Sequence, residues 1–190
     1  MSLVAYMFHA IGELESNDWA DPHYTYSMEK FSQLLAKLGP VTSFKNAIER
    51  EDYSQSIFSF DDGHISNFYA AKYMYENNYG TADFYINPEK VGEPYYMSWV
   101  QIVELNTWGM SIQSHGLDHK FLTDCDDTEL YRQLFLSKKI IEQHIKSPVE
   151  LMAPPGGRFD SRVIQLSKEC GYHKITNSEP GVISNLDVFL

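Results

Sequence analysis

Basic residues are scarce in this chain. With Lys+Arg 15 against Asp+Glu 26 the formal net charge is -11, and such a surface repels phosphate backbones and anionic lipid headgroups. Nucleic acid is thereby disfavoured as a partner, and a neutral or cationic ligand is expected. Cysteine is scarce too. Cys125 and Cys170 lie far apart and form no C-x-x-C pair, which argues against a zinc-thiolate or redox motif and leaves two free thiols. Long apolar runs are missing as well: none approaches the ~18 residues of a membrane span. The N-terminus has no basic n-region, and its apolar stretch from Leu3 to Phe8 is too short for a signal-peptide core. As written, the chain reads as cytoplasmic. It shows no internal repeat, low-complexity segment or linker, and 190 residues suit one domain with a sizeable core.

Aromatic residues, by contrast, are plentiful at 14%, including 13 tyrosines, and aromatic faces suit sugar rings as well as cores. Strand and helix signals alternate along the chain. Leu3 to Phe8 reads as a strand, and Gly12 to Thr25 as a long polar loop. Ser27 caps a helix whose apolar residues Met28, Phe31, Leu34, Leu35 and Leu38 recur at spacings of three and four, with Gly39-Pro40 ending it. Val41 to Ser43 is a candidate short strand, Ser43 to Ile48 a helical turn, and Glu49 to Gln55 a loop. Strands are expected at 57–60, 82–86, 110–114, 149–153 and 172–176. Helices are expected at 65–78, after Ser98 as far as Trp108, from the capping-box-like Asp126-Asp127-Thr128-Glu129 to near Lys146, and at 161–170. Such β-α units imply a parallel sheet covered by helices, either open or closed into a barrel.

Two strand ends carry the chemistry. Ser59-Phe60-Asp61-Asp62-Gly63 closes one apolar run, and His115-Gly116-Leu117-Asp118-His119 follows another. One carboxylate and two imidazoles at strand ends can converge on a metal ion as a 2-His-1-carboxylate set that leaves positions open. A bound zinc ion makes water nucleophilic at neutral pH, so a metal plus one base suffices for amide cleavage. Two histidines four apart also occur in H-E-x-x-H sites, but no glutamate follows His115. A non-haem iron oxygenase is disfavoured because its motif usually opens with H-x-D.

The sequence S-F-D-D-G, then H-x-x-x-H, then Ala153-Pro154-Pro155-Gly156-Gly157, in that order, resembles the first three motifs of the polysaccharide deacetylase (NodB-homology, carbohydrate esterase four) family. Tyr6-Met7-Phe8-His9 resembles its opening Y-H element, so the likeness covers nearly all of residues 1–190. It implies an α/β fold, a distorted (β/α) barrel of about seven strands, here short of about one strand-helix unit at its C-terminal side. It implies that Asp62, His115 and His119 are the metal ligands, with zinc, or alternatively cobalt or nickel, as the ion. Asp61 is then the general base, and Gly156 or Gly157 supplies a backbone N–H to the oxyanion. The implied activity is removal of N-acetyl groups from an amino sugar in a saccharide or glycan precursor. Relatives acting on non-sugar amides or cyclic imides, and a non-catalytic carbohydrate-binding domain, are the alternatives.

The chain departs from the pattern in two places. Ala153 stands where many members have arginine and Gly156 where they have tyrosine, and no late L-x-H element follows Gly157. His173 sits too early to replace it. Pro155, Gly157, Tyr95 and Tyr96 are expected to line the substrate site, the tyrosines from a loop overhanging it. His9 ends the first strand and can approach the site, although a core histidine is the commoner reading. His64, Trp19, Trp99, Arg158 and Asp118 are expected to be loop, packing or surface residues.

Overall fold

A computed structural model describes residues 4–177. Strand β1 (Ala5–Phe8) is followed by the two-residue strand β2 (Ala10–Ile11), a 3-10 turn (Pro22–Tyr24), β3 (Thr25–Tyr26) and helix α1 (Met28–Leu38). Next come α2 (Phe44–Arg50), β4 (Ile57–Phe60), α3 (Ile65–Glu76), β5 (Asp83–Ile86), α4 (Trp99–Thr107) and β6 (Ser111–Ser114). A 3-10 turn (Leu122–Asp124) leads to α5 (Asp127–Ile145), then β7 (Leu151–Met152), a 3-10 turn (Pro155–Gly157), α6 (Ser161–Glu169) and β8 (Lys174–Ile175).

The main sheet has six strands in the order β1-β4-β5-β6-β7-β8, and every neighbouring pair is parallel. Strand order follows chain order, so each crossover steps one place in the same direction, as in a winding barrel. The sheet curls but stops at β1 and β8, an incomplete barrel of six strands among the described residues against an expectation of about seven. No helix among the described residues is long and apolar enough to cross a membrane.

The helices form where local signals agree. Ser27, Ser43, Ser98, Asp126 and Asp160 each accept a hydrogen bond from a first-turn N–H of the helix that follows, satisfying donors the helix cannot pair itself. Two expectations need correction. The segment 12–25 is not simply a loop: β2 and β3 pair at both its ends and Gly12 N donates to Tyr26 O at 2.9 Å. A two-residue ladder is too short to leave any periodicity in the sequence. Helix α2 also continues to Arg50 through residues expected to be loop, because Glu49 and Arg50 occupy its outer face and Glu51 closes it in the left-handed region at φ 51.

The two faces of the sheet differ. Phe58, Phe60, Phe84, Ile86, Ile112 and Met152 join the main hydrophobic core, with Phe60 stacked on Phe84 at 4.7 Å between centroids. On the other face Tyr85, Leu151 and Ala153 form a small cluster closed by Phe44 and Ile48 of α2. Buried Asp83 and Gln113 lie on this second face. Asp83 accepts from the N–H groups of Phe44 and Lys45 at the start of α2.

Candidate active site

The strand ends of the second face carry the acidic doublet and the first histidine. Asp61 N donates to Phe8 O at 2.9 Å, which ties the end of β4 to β1. Asp62 and Gly63 then turn through consecutive positive φ values of 69 and 76. A left-handed aspartate is uncommon and costs energy, so the surrounding contacts must hold it. Gly63 is needed because a Cβ there would sit 3.3 Å from Ile86 Cδ1 in a conformation side chains rarely adopt. On the next-but-one strand, His115 N donates to Ile86 O at 2.9 Å, and the chain turns at Gly116 before His119, itself at φ 70.

These turns bring three side chains together. Asp62 Oδ1 lies 3.2 Å from His115 Nε2 and 3.1 Å from His119 Nε2, and the ligand atoms of the three residues lie within 4.8 Å of one another. His115 Nδ1 is 2.8 Å from Ala153 O. A carbonyl only accepts, so Nδ1 carries the proton and the neutral ring turns its Nε2 lone pair toward Asp62. Asp62 Oδ1 is buried and without a hydrogen bond. Lone pairs facing one another at this distance repel unless a positive charge lies between them, and the donor set, with a carbonyl fixing one histidine's tautomer, suits a divalent cation. The three residues fit such an ion.

Protonated imidazoles are the other way to supply that charge. Burial opposes ionisation of Asp62, yet the two histidines hold its carboxyl far below the usual range. His115 responds in the opposite sense: burial favours its neutral form, but Asp62 and then Asp61 push its pKa up. Asp61, only 4% exposed, is raised by burial, an effect offset in part by His115 and His9. Two adjacent carboxyls are thus driven apart, one held ionised and one poised to take a proton.

His9 belongs to this cluster. Its Nε2 lies 4.0 Å from Asp62 Oδ2 with the side chain 26% exposed, and Tyr24 packs against its ring at 5.2 Å. Its place at the end of β1 and its place in the Y-H element of the family resemblance were the signals for this in the sequence. Asn87, at the end of β5, gave no signal. Its Nδ2 donates to the carbonyls of His115 and Gly116 and so holds the turn between the histidines. Asp118 also braces that turn, accepting from Gln133 Nε2 at 2.8 Å, while Gln133 Oε1 accepts from Leu117 N at 2.9 Å.

The other expected site residues are placed less uniformly. Pro155 is buried and approaches Gly116, where a Cβ would meet Pro155 Cγ at 3.6 Å, so it packs one site turn on another. Gly157 N–H is committed to Pro154 O at 2.8 Å. Gly156 is exposed at φ 64, and a Cβ on it would be 2.7 Å from the Phe121 ring, a space that a tyrosine at this position would need. Arg158 lies over that same ring, 4.2 Å from its centroid. Tyr95 turns its hydroxyl to Glu15 Oε2 at 3.0 Å and Asn17 Oδ1 at 2.6 Å on the 12–25 segment. Tyr96 forms an antiparallel bridge with His64, two residues after Asp62, and has its hydroxyl pKa raised to about 12 by burial and then by the charge of Asp62. Trp99 stacks on His144 at 3.7 Å, on the helices.

A sequence profile described as Polysaccharide deacetylase matches residues 51–175, the stretch that holds the doublet, both histidines and the glycine turn. The chain belongs to the polysaccharide deacetylase family. YxkH of Bacillus subtilis (strain 168), whose name places it among the polysaccharide deacetylases, is 26% identical over 129 residues, 67% of this chain and 46% of its own length. The chain therefore spans about half the length of that curated relative. A polysaccharide deacetylase from Bacillus cereus superposes with a TM-score of 0.82 at 23% identity over 95% of this chain and 59% of its own. The Streptococcus pyogenes deacetylase PplD, solved with acetate, gives 0.82 at 20% identity over 94% and 85%. These likenesses confirm the curled β-α fold that the family resemblance implied.

Proposed function

We propose that this polysaccharide deacetylase family member is a metal-dependent hydrolase that removes N-acetyl groups from an amino sugar within a saccharide or glycan precursor. One observation carries the reading: buried Asp62 Oδ1 faces the Nε2 atoms of His115 and His119, with a second buried carboxyl, Asp61, adjoining it in the chain. Asp62, His115 and His119 would hold the ion, zinc first, with cobalt or nickel suiting the same ligands. Such an ion polarises an amide carbonyl and lowers the pKa of water.

The remaining roles fall to the chain's own groups. Asp61, whose pKa burial raises, accepts the proton of the attacking water. The Gly156 N–H stands on an exposed turn and donates to the oxyanion as the carbonyl carbon becomes tetrahedral. Cleavage of the C–N bond releases acetate, and the leaving nitrogen needs a proton. His9, near Asp62 and partly open to solvent, donates it. Tyr96 lines the site, and the negative net charge suits a product that gains an amine. The acetate bound to the Streptococcus pyogenes relative is the by-product this reading requires.

Acetate release from a panel of N-acetylated saccharides by the zinc-loaded chain tests the proposal. Release should fall by about 10²- to 10⁴-fold in Asp61→Asn, the range for loss of a general base. A folded protein that binds zinc and releases no acetate from any substrate would defeat it and favour a binding domain.

A further inference from the structure

Trp19 has no place in the chemistry above, yet its ring is held more firmly than that of an ordinary loop residue. It is 37% exposed. On one side it stacks on Tyr96 at 4.5 Å and 18° between planes, and it meets His64 in a T-shaped contact at 5.2 Å and 75°. His64 is itself immobilised: its Nδ1 accepts from Ser66 N at 3.2 Å and pairs with Ser66 Oγ at 2.7 Å, which leaves Nε2–H to donate to both Asp18 oxygens at 3.1 Å. The side chains of His64 and Asp18 are 3% and 5% exposed. Asp18 Oδ1 also accepts from Ala20 N at 2.9 Å, and the bonds from Tyr95 to Glu15 and Asn17 pin the same segment from its other side.

The segment 12–25 is thus strapped to the turn that carries Asp62, and its Trp19 is presented as a rigid aromatic ledge beside the site. Packing does not require an arrangement like this. A tryptophan placed only for burial would bury its face, whereas here one face is backed by Tyr96 and the ring remains partly in water. Preorganised aromatic faces bind apolar surfaces at low entropic cost, and the C–H face of a pyranose ring is such a surface.

We infer that Trp19, backed by Tyr96, is a substrate-binding platform for a second sugar ring next to the one that loses its acetyl group, so that the enzyme recognises an oligosaccharide rather than a free amino sugar. This inference rests on the proposed function for the identity of the neighbouring ring. It extends that proposal by giving the substrate a minimum length of two sugars.

The test uses the whole zinc-loaded chain with Asp61→Asn, so that the ligand is not consumed, and titrates linear oligomers of N-acetylglucosamine by calorimetry. Adding Trp19→Ala should weaken binding of the trimer about tenfold, the scale of one aromatic contact, and Trp19→Phe should restore most of it. Zinc affinity should not change. Trimer binding unaltered by Trp19→Ala, zinc affinity falling in parallel with it, or no binding of any oligomer to the parent protein would each overturn the inference. Trimer binding that depends on Trp19, in a chain whose unmutated form releases no acetate, would uphold the platform and refute the deacetylase reading separately.

Discussion

The two faces of the sheet are made from the same strands and are both buried, yet they are built by opposite rules. On one, Phe60, Phe84 and Ile112 form an apolar row across β4, β5 and β6. On the other, Asp83 pairs across the sheet with Ser111, and Tyr85 with Gln113. Alternating apolar and polar residues in a strand ordinarily mean one face in water. Here the polar face is covered by α2, and its groups find partners inside the protein. Gln113 Oε1 accepts from the N–H groups of Glu150 and Leu151 at 2.9 and 2.8 Å, which supplies the short strand β7 with bonds its own ladder does not provide. The apolar face stabilises the fold by volume, and the polar face positions segments by direction.

Substitutions on the two faces should therefore fail differently. Phe84→Ala should cost the most, about 3–5 kcal/mol of stability in urea denaturation, because it empties a stacked ring from a close-packed core. A small loss would mean the core collapses around the gap and the apolar face is less rigid than its packing implies.

Asp83→Asn sharpens the contrast through pH. Burial raises the Asp83 carboxyl to about 6 from 3.8, against the opposing pull of its hydrogen bonds. Its folded pKa lies above its unfolded one, so its stabilising contribution is complete below pH 3.8 and is lost as pH rises through about 6. The stability of Asp83→Asn relative to the parent should therefore increase between pH 4 and pH 7, by up to about 3 kcal/mol at roughly 1.4 kcal/mol per pKa unit. Thermal melts of both proteins across that range measure the difference, and a constant gap would mean that Asp83 is ionised throughout.

Gln113→Leu should have the smallest effect, about 2 kcal/mol, by leaving the Glu150 and Leu151 N–H groups without their acceptor. Amide hydrogen exchange should speed up at Glu150 and Leu151 first. Equal acceleration along β4 and β5 would show that the polar face acts as one cooperative unit rather than through single bonds.

Most of the order of elements was legible because each helix and strand carries its own local signals. The serine and aspartate caps, the three- and four-residue apolar spacing of α1, and the glycines after helices depend on near neighbours only. The metal-ligand candidates were legible for the same reason: Asp61-Asp62-Gly63 and His115-x-x-x-His119 are short motifs at the ends of recognisable strands. Ambiguity grew with distance along the chain. Whether the sheet was open or curled followed from family resemblance, not from periodicity.

Long-range contacts were not legible. Asn87 holds the carbonyls of His115 and Gly116 from a different strand. His9 approaches Asp62 only because β1 lies beside β4. Gly156 abuts Phe121, a ring that follows His119, and Tyr95 reaches back to Glu15 and Asn17. His9, Gly156 and Tyr95 stood out by motif or position, but no local pattern foretells the partner each one meets, and Asn87 carried no signal at all.

By itself the sequence determined the alternation of strands and helices and the carboxylates and imidazoles offered at strand ends, because those features follow from backbone preferences and side-chain chemistry over a few residues. Tertiary structure alone decided which carboxylate oxygen faces both imidazoles, that the polar strand face is buried, and that Trp19, His64 and Tyr96 meet. Each of those outcomes depends on how parallel strands are brought side by side, and the free energy that does so comes from burying the apolar face they share.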